Sequence, residues 1–299
     1  MKLTITGYFD LNPSLDDTIE ILKRNQLSHV ILRAYNHRPL LEMNDQDIRE
    51  LQFKLKSEKI EIAMLDTMIE PYPIESKKKQ KEALDEFIYF IKLSSKLKVD
   101  YLLMELPVFH DCIKEIKSIE KVLEPFIEQA LINRKTIVIK PSKDYRANVY
   151  AYLIKKMKTE ALKLAFNPVM VMNQNESETT AYRLLKKHMV VFMAKDQDRI
   201  NEPQLLGYGK TDMLNLFKRL IRDRYNGFVF ADHDFSEKDL VFDPEKIGFF
   251  KRIFGKEKKR KEAYLQTLQK RLFPNEPDKK ISIDDITDNQ INVLKVVFK

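Results

Sequence analysis

Short apolar or β-branched runs alternate with longer, charged, amphipathic stretches through residues 1–232. Eight runs read as strands: LTITGYFD (3–10), HVILRAY (29–35), KIEIAMLDT (59–67), DYLLMEL (100–106), KTIVIK (135–140), LKLAFN (162–167), MVVFMA (189–194) and GFVFAD (227–232). Their apolar residues run on rather than alternate, the habit of strands covered on both faces of a parallel sheet. The stretches between them predict helices over 14–24, 44–56, 77–97, 112–133, 145–158, 176–187 and 212–224. Ser14 is placed to cap the first of these ahead of Asp16 and Asp17, and Ile48, Leu51 and Leu55 recur on one face of the second. Pro39, Pro71, Pro107, Pro141, Pro168 and Pro203 stand where strands give way to loops, as suits a residue with no N–H for the ladder.

Eight βα units predict an α/β fold, a (β/α)8 TIM barrel, because parallel strands need crossover helices and closure removes both sheet edges. The barrel is expected over 1–254, with its closing helix at 239–254. A basic helical C-terminal extension is expected over 255–299, with a helix at 256–273, the polar break NEPDKK, and a last run at 281–298. Chemistry in such barrels sits at the C-terminal ends of the strands, and that rule selects the residues to inspect.

Composition removes several functions. The six glycines are Gly7, Gly207, Gly209, Gly227, Gly248 and Gly255, so residues 8–206 contain none. A phosphate-cradling P-loop or a dinucleotide-binding GxGxxG is therefore absent. The net charge is +8, and residues 251–299 hold 13 basic against 7 acidic side chains, leaving 40 against 38 for the rest. The basicity belongs to the extension. Such a run could touch a phosphate backbone, but it is more often a solvated helix face, so a nucleic-acid partner is not expected. Cys112 is the sole cysteine, which precludes an internal disulfide. No apolar run reaches the roughly 18 residues that span a bilayer, and MKLTITGYFD lacks the features of a signal peptide. The expectation is a cytoplasmic protein without a membrane partner.

HVILRAYNHRPLLEMNDQDIRELQFKLKSEKIEIAMLDT (29–67), AKDQD (194–198) and LLGYGKTDMLNLFKRLIRDRYNGFVFAD (205–232) resemble units of the xylose isomerase-like TIM barrels. That superfamily holds sugar isomerases, epimerases, inosose dehydratases and endonuclease IV-type DNA repair enzymes. The resemblance implies one divalent cation held by Glu, Asp, His and Glu at the ends of strands five to eight, where it would polarise a sugar carbonyl. Here those corners correspond to Lys140, Asn167, Met193 and Asp232, so three of the four ligands are replaced. A lysine ammonium about 4 Å from a divalent ion opposes it by about 8 kcal/mol at an effective dielectric near ~20. No cofactor is therefore expected, and Lys140 is expected to pair with Asp232 in the cation's place. If a metal is present, Asp232 and His233 are its candidate ligands, although neighbours on a strand face opposite sides.

The resemblance implies a sugar isomerase/epimerase-like protein with a largely lost metal site that binds a carbohydrate-like ligand or a protein partner. The alternative is an active sugar or sugar-phosphate isomerase/epimerase. It would use a rearranged Mn, Mg or Zn site, or metal-free acid/base groups such as Lys140, Asp232 and Glu105; Asp66 and Asp10 are further candidate bases. Arg33, His37, Arg38, His110, Asn167, Met193, Lys195 and His233 are candidates for ligand contact. Lys140 and Lys195 also fit Schiff-base chemistry. Endonuclease chemistry is disfavoured, since the chain's five histidines fall mostly off the required positions. Barrels of this superfamily often pair, so a homodimer is compatible with the resemblance.

Overall fold

A computed structural model describes residues 3–9, 14–240, 251–276 and 278–299. Each of the eight apolar runs contributes a strand: β1 Thr4–Thr6, β2 His29–Leu32, β3 Glu61–Asp66, β4 Tyr101–Met104, β5 Thr136–Ile139, β6 Leu162–Phe166, β7 Met189–Met193 and β8 Phe228–Phe230. All pairings among them are parallel, in the order β1-β8-β7-β6-β5-β4-β3-β2. The Ile31 N–H donates to the Gly7 carbonyl at 2.8 Å, joining β2 to the end of β1 across the remaining seam. The strands stop short of the apolar runs because the last residues of those runs leave the ladder and enter the loops at the C-terminal end of the barrel.

The helices are α1 Leu15–Arg24, α2 Asp45–Ser57, α3 Lys77–Leu97, α4 Ile116–Ile132, α5 Ala147–Met157, α6 Pro168–Asn173, α7 Glu178–Leu185, α8 Met213–Arg222, α9 Glu237–Leu240, α10 Lys251–Leu272 and α11 Ile283–Val297. The Ser14 hydroxyl accepts from the Asp17 N–H at 3.2 Å, as its position predicts. α4 starts four residues later than expected, because the Glu115 carboxylate accepts the His110 and Asp111 N–H groups and holds 110–115 as a turn. α6 was not foreseen; Pro168 occupies its first turn and Asn167 caps it.

Side chains of alternating parity divide the core. Ile31, Met64, Leu103, Val138, Ala165, Val191 and Phe230 form one cluster inside the barrel. Their neighbours Leu32, Leu65, Leu102, Ile137, Leu164, Phe192 and Val229 belong to the outer cluster beneath the helices.

The closing helix expected at 239–254 falls largely on residues 241–250, which lie outside the described residues. α11, read from sequence as part of the extension, places Ile291 and Leu294 in the same core cluster as the strands. It touches α1 through Asp288, which accepts from Arg24 Nε at 3.1 Å and Asn25 Nδ2 at 2.6 Å, and approaches α8 through the ring pair Phe217–Phe298 at 5.3 Å. A last helix supplies the apolar stripe that the α1–α8 gap needs. α10 lies across the loop after β7: Tyr264 donates to the Pro203 carbonyl at 2.6 Å, and the Arg271 guanidinium stacks 4.3 Å from the Tyr208 ring centre. Its residues Tyr264 and Arg271 are thus engaged with the barrel. No helix among the described residues is long and apolar enough to cross a membrane.

Candidate ligand site at the barrel mouth

The inward parity that builds the barrel interior continues past the strand ends. Counting on by two from Phe230, Met64, Leu103, Val138, Ala165 and Ile31 reaches Asp232, Asp66, Glu105, Lys140, Asn167 and Arg33. A pleat repeat of two therefore places them at the C-terminal mouth.

Lys140 does not pair with Asp232. Its Nζ lies 3.0 Å from each oxygen of Asp66 and 3.7 Å from Glu105. Strand order explains the correction: β4 is the next strand and β3 the one beyond, whereas β8 lies three strands away in the other direction. Asp66, whose side chain is only 1% exposed, also accepts from the Tyr8 hydroxyl at 2.6 Å and the Met68 N–H at 3.1 Å. Burial above all, and then Asp66, pushes the Tyr8 phenol far above its ordinary value, so it remains a protonated donor. Tyr8 was missed in the sequence, although it continues the inward parity of β1 beyond Thr6.

Asp232 has a separate cradle. Its oxygens accept the Tyr8 N–H at 2.9 and 3.0 Å and the Phe9 N–H at 3.2 Å. Phe9 has φ 49°, a left-handed turn that brings its N–H round to the carboxylate. Gly7 is needed beside it, since a Cβ there would stand 2.7 Å from Asp232 Oδ2. Met68, at φ 51°, makes the same kind of turn toward Asp66.

The other candidates divide between mouth and scaffold. Arg33 lies 4.4 Å from the Tyr8 ring centre. Lys195 pairs with Asp234 at 2.6 Å. Arg38 is turned aside to Asp47 at 2.8 Å, and His37 and His110 are exposed loop residues. Asn167 spends its side-chain oxygen on the Val169 and Met170 N–H groups, and Met193 is packed in the barrel interior. Asp10 lies outside the described residues. The G-x-G turn is organised by Asp196, whose carboxylate accepts the N–H groups of Gly207 and Gly209, each at 2.9 Å, and of Thr211 at 3.2 Å.

A cavity of about 800 Å³ opens at the β8–β1–β2 side of the mouth. Tyr8, Arg33, Lys195 and Asp232 line it on the barrel side, and Ser282, Ile283 and Thr287 of the C-terminal segment line it opposite. This volume suits a small ligand.

His233 fastens that opposite wall. Its Nε2 lies 3.0 Å from Thr287 Oγ1, and since that hydroxyl donates to the Ile283 carbonyl, the ring is the donor. Gln290, fully buried, donates from Nε2 to the Ala194 carbonyl at 3.0 Å. Burial lowers the His233 imidazole to about 4. A histidine held neutral in the fold but titrating near 6.5 when unfolded contributes stability that is complete above pH 6.5. That contribution falls as pH drops through 6.5 and is gone near pH 4, a loss of up to about 3 kcal/mol. Denaturant unfolding between pH 7 and 4 should show this decline, and His233→Gln should flatten it. A His233→Gln variant with the same pH slope would remove the assignment.

At the ends of β5 to β8, an ammonium, a capping amide, a thioether packed in the barrel and one carboxylate offer at most one anionic ligand between them. Among the described residues, no three His, Cys, Asp or Glu side chains gather so that they could hold a metal ion.

No family model matches the chain, and no curated protein matches it. Solved structures match it in fold. The IOLI protein with a binding zinc atom is 16% identical, the match covering 95% of this chain and 100% of that one with a TM-score of 0.65. The probable 3-DHS dehydratase AsbF involved in petrobactin synthesis, from Bacillus anthracis, is 11% identical, with 99% of each chain covered and a TM-score of 0.64. D-psicose 3-epimerase with D-tagatose, from Clostridium cellulolyticum H10, is 13% identical, with 90% and 99% covered and a TM-score of 0.62. Identities this low carry likeness of fold alone. In architecture the chain is a (β/α)8 TIM barrel, similar in fold to these structures.

Proposed function

We propose that this chain binds a carbohydrate-like ligand at the barrel mouth without a divalent metal, the Lys140 ammonium standing as the fixed cation of the site. The observation that carries this reading is the position of Lys140 Nζ, 3.0 Å from both Asp66 oxygens and 3.7 Å from Glu105. A charge so held at the end of β5 opposes a divalent cation beside it. The fold likeness to sugar epimerases supports the class of ligand, and hydroxyls can exchange hydrogen bonds with Glu105 and Lys140 at the ends of their strands.

The test is elemental analysis of the purified chain, with thermal shifts in Mn²⁺, Mg²⁺, Co²⁺, Zn²⁺ and a panel of free sugars and inositols. Substoichiometric metal, no stabilisation by the ions and stabilisation by one or more sugars is the expected pattern. Stoichiometric metal bound at the ends of β5–β8 would overturn it.

One observation favours a second, catalytic reading. Glu105 is one third exposed and has Lys140 as its sole ion-pair partner among the described residues. In that reading Glu105 takes a proton from the carbon beside a sugar carbonyl and returns it to the former carbonyl carbon, while the adjacent hydroxyl passes its proton to the former carbonyl oxygen. The Lys140 ammonium meanwhile supports the negative oxygen. Deuterium uptake from solvent into a bound sugar, abolished by Glu105→Gln, is the signature that separates catalysis from binding.

A further inference from the structure

A second cavity, of about 400 Å³, lies between α3 and the segments that follow β2 and β3, and Arg33 belongs to its wall as well as to the wall of the larger one. The Asp66–Lys140 pair joins the two. Asp66 accepts from the Tyr8 hydroxyl, in the wall of the larger cavity, and from the Met68 N–H, in the wall of the smaller. A ligand seated on Lys140 therefore adjoins both spaces.

The buried part of the second cavity's wall is apolar, formed by Leu40, Ile69, Tyr72, Ala83 and Phe90. Its charged residues Arg33, Glu70, Lys79 and Glu82 are exposed. Glu86 is half-buried, and burial, then Glu82 and Glu70, hold its carboxyl above the ordinary value, a shift toward the neutral form that suits an apolar neighbour. Two apolar side chains from different segments also stand open to water in this wall: Leu41, 37% exposed, and Met68, 54% exposed. Scattered single exposures of this kind are ordinary, but a pair in the wall of one cavity is not scattered. Met68 holds its place at φ 51°, a left-handed conformation that glycine, asparagine or aspartate adopts at lower cost. The turn is needed to bring the Met68 N–H to Asp66, but nothing in that bond calls for a thioether. A flexible apolar chain kept at a strained, exposed position is the arrangement of a surface that an apolar ligand group covers.

We infer that the ligand carries an apolar substituent, which the second cavity takes against Leu41 and Met68 while the ligand's hydroxyls meet Lys140 and Glu105. This deepens the ligand-binding reading above and rests on it. The ligand class is then a glycoside or ether of a sugar or inositol with a short aliphatic or aromatic group, the free sugar being only its polar half. The occupant is part of the same molecule because the cavity shares Arg33 with the larger one and reaches the ion pair through Met68 and Asp66. Its volume suits a group of that size.

Calorimetric titration of the full chain tests this with the sugars and inositols of the panel above, each free and bearing a methyl, butyl or hexyl chain at each hydroxyl in turn. At one position affinity should rise about three- to fourfold for each methylene buried, so that butyl exceeds methyl by about thirtyfold. Met68→Asn suits the left-handed backbone and should be as stable as the parent chain to denaturant, yet lose most of that gain, as should Leu41→Ser. Butyl derivatives that bind no better than methyl ones at any position overturn the inference and leave the ligand-binding reading standing. A gain that persists in full in both variants overturns the assignment to this cavity. If neither free nor substituted sugars bind, the ligand-binding reading itself fails and this inference falls with it.

Discussion

Lys140→Met is expected to lower stability by about 3–5 kcal/mol, the scale for stripping the partner from a buried charge. Asp66 is almost fully enclosed, and in the variant the Tyr8 hydroxyl and the Met68 N–H would be left to satisfy it alone. Two neutral donors do not replace an ammonium 3.0 Å from both oxygens. Chemical denaturation measures the loss directly, and the melting temperature should fall by roughly 6–15 °C. Asp66→Asn in the Lys140→Met background should restore much of the stability, because it removes the stranded charge rather than its partner. A single variant as stable as the parent would show that the pair holds nothing together.

Asp196→Ala should cost a similar amount, roughly 3–5 kcal/mol, by a different route. This carboxylate accepts from the Gln197, Gly207, Gly209 and Thr211 N–H groups and from the Thr211 hydroxyl. Burial pushes its carboxyl upward while those bonds hold it down, so the loop after β7 is organised around one enclosed acid. Alanine leaves several donors without an acceptor, in a loop that packs against α10. Asparagine keeps the shape and one acceptor oxygen and should lose less. Gly209→Ala should behave like Asp196→Ala, since a Cβ at Gly209 would overlap the Asp196 carboxylate. Faster proteolysis within 196–212 in Asp196→Ala, with the rest of the chain protected, would separate loop release from global unfolding. Unchanged stability in both variants would show that Asp196 is a passenger in the turn.

The failed pairing of Lys140 with Asp232 is instructive about what a single chain reveals. Both residues were rightly assigned to strand ends, since each follows an apolar run and the pleat repeat gives its face. Their partners were not legible. Asp66, Glu105 and Asp232 are equivalent in the sequence, each a carboxylate closing a strand. Strand order brings β3 and β4 within reach of Lys140 and leaves Asp232 to the N–H groups that follow β1. His233 is a similar case. Nothing local could say that Thr287, 54 residues later, would be its neighbour.

Local pattern was thus enough for eight strands, their parallel arrangement, the barrel and part of the set of side chains at its mouth, Tyr8 being missed. These depend on periods of two and about 3.6 residues, which a sequence carries in full. Ion pairing across the mouth, the packing of α11 against α1 and α8, and the lining of the cavity by 281–287 were decided by the tertiary structure. Each depends on which distant segments share a boundary. That is set by barrel register and by the competition of apolar stripes for one groove, neither of which any short stretch of chain contains.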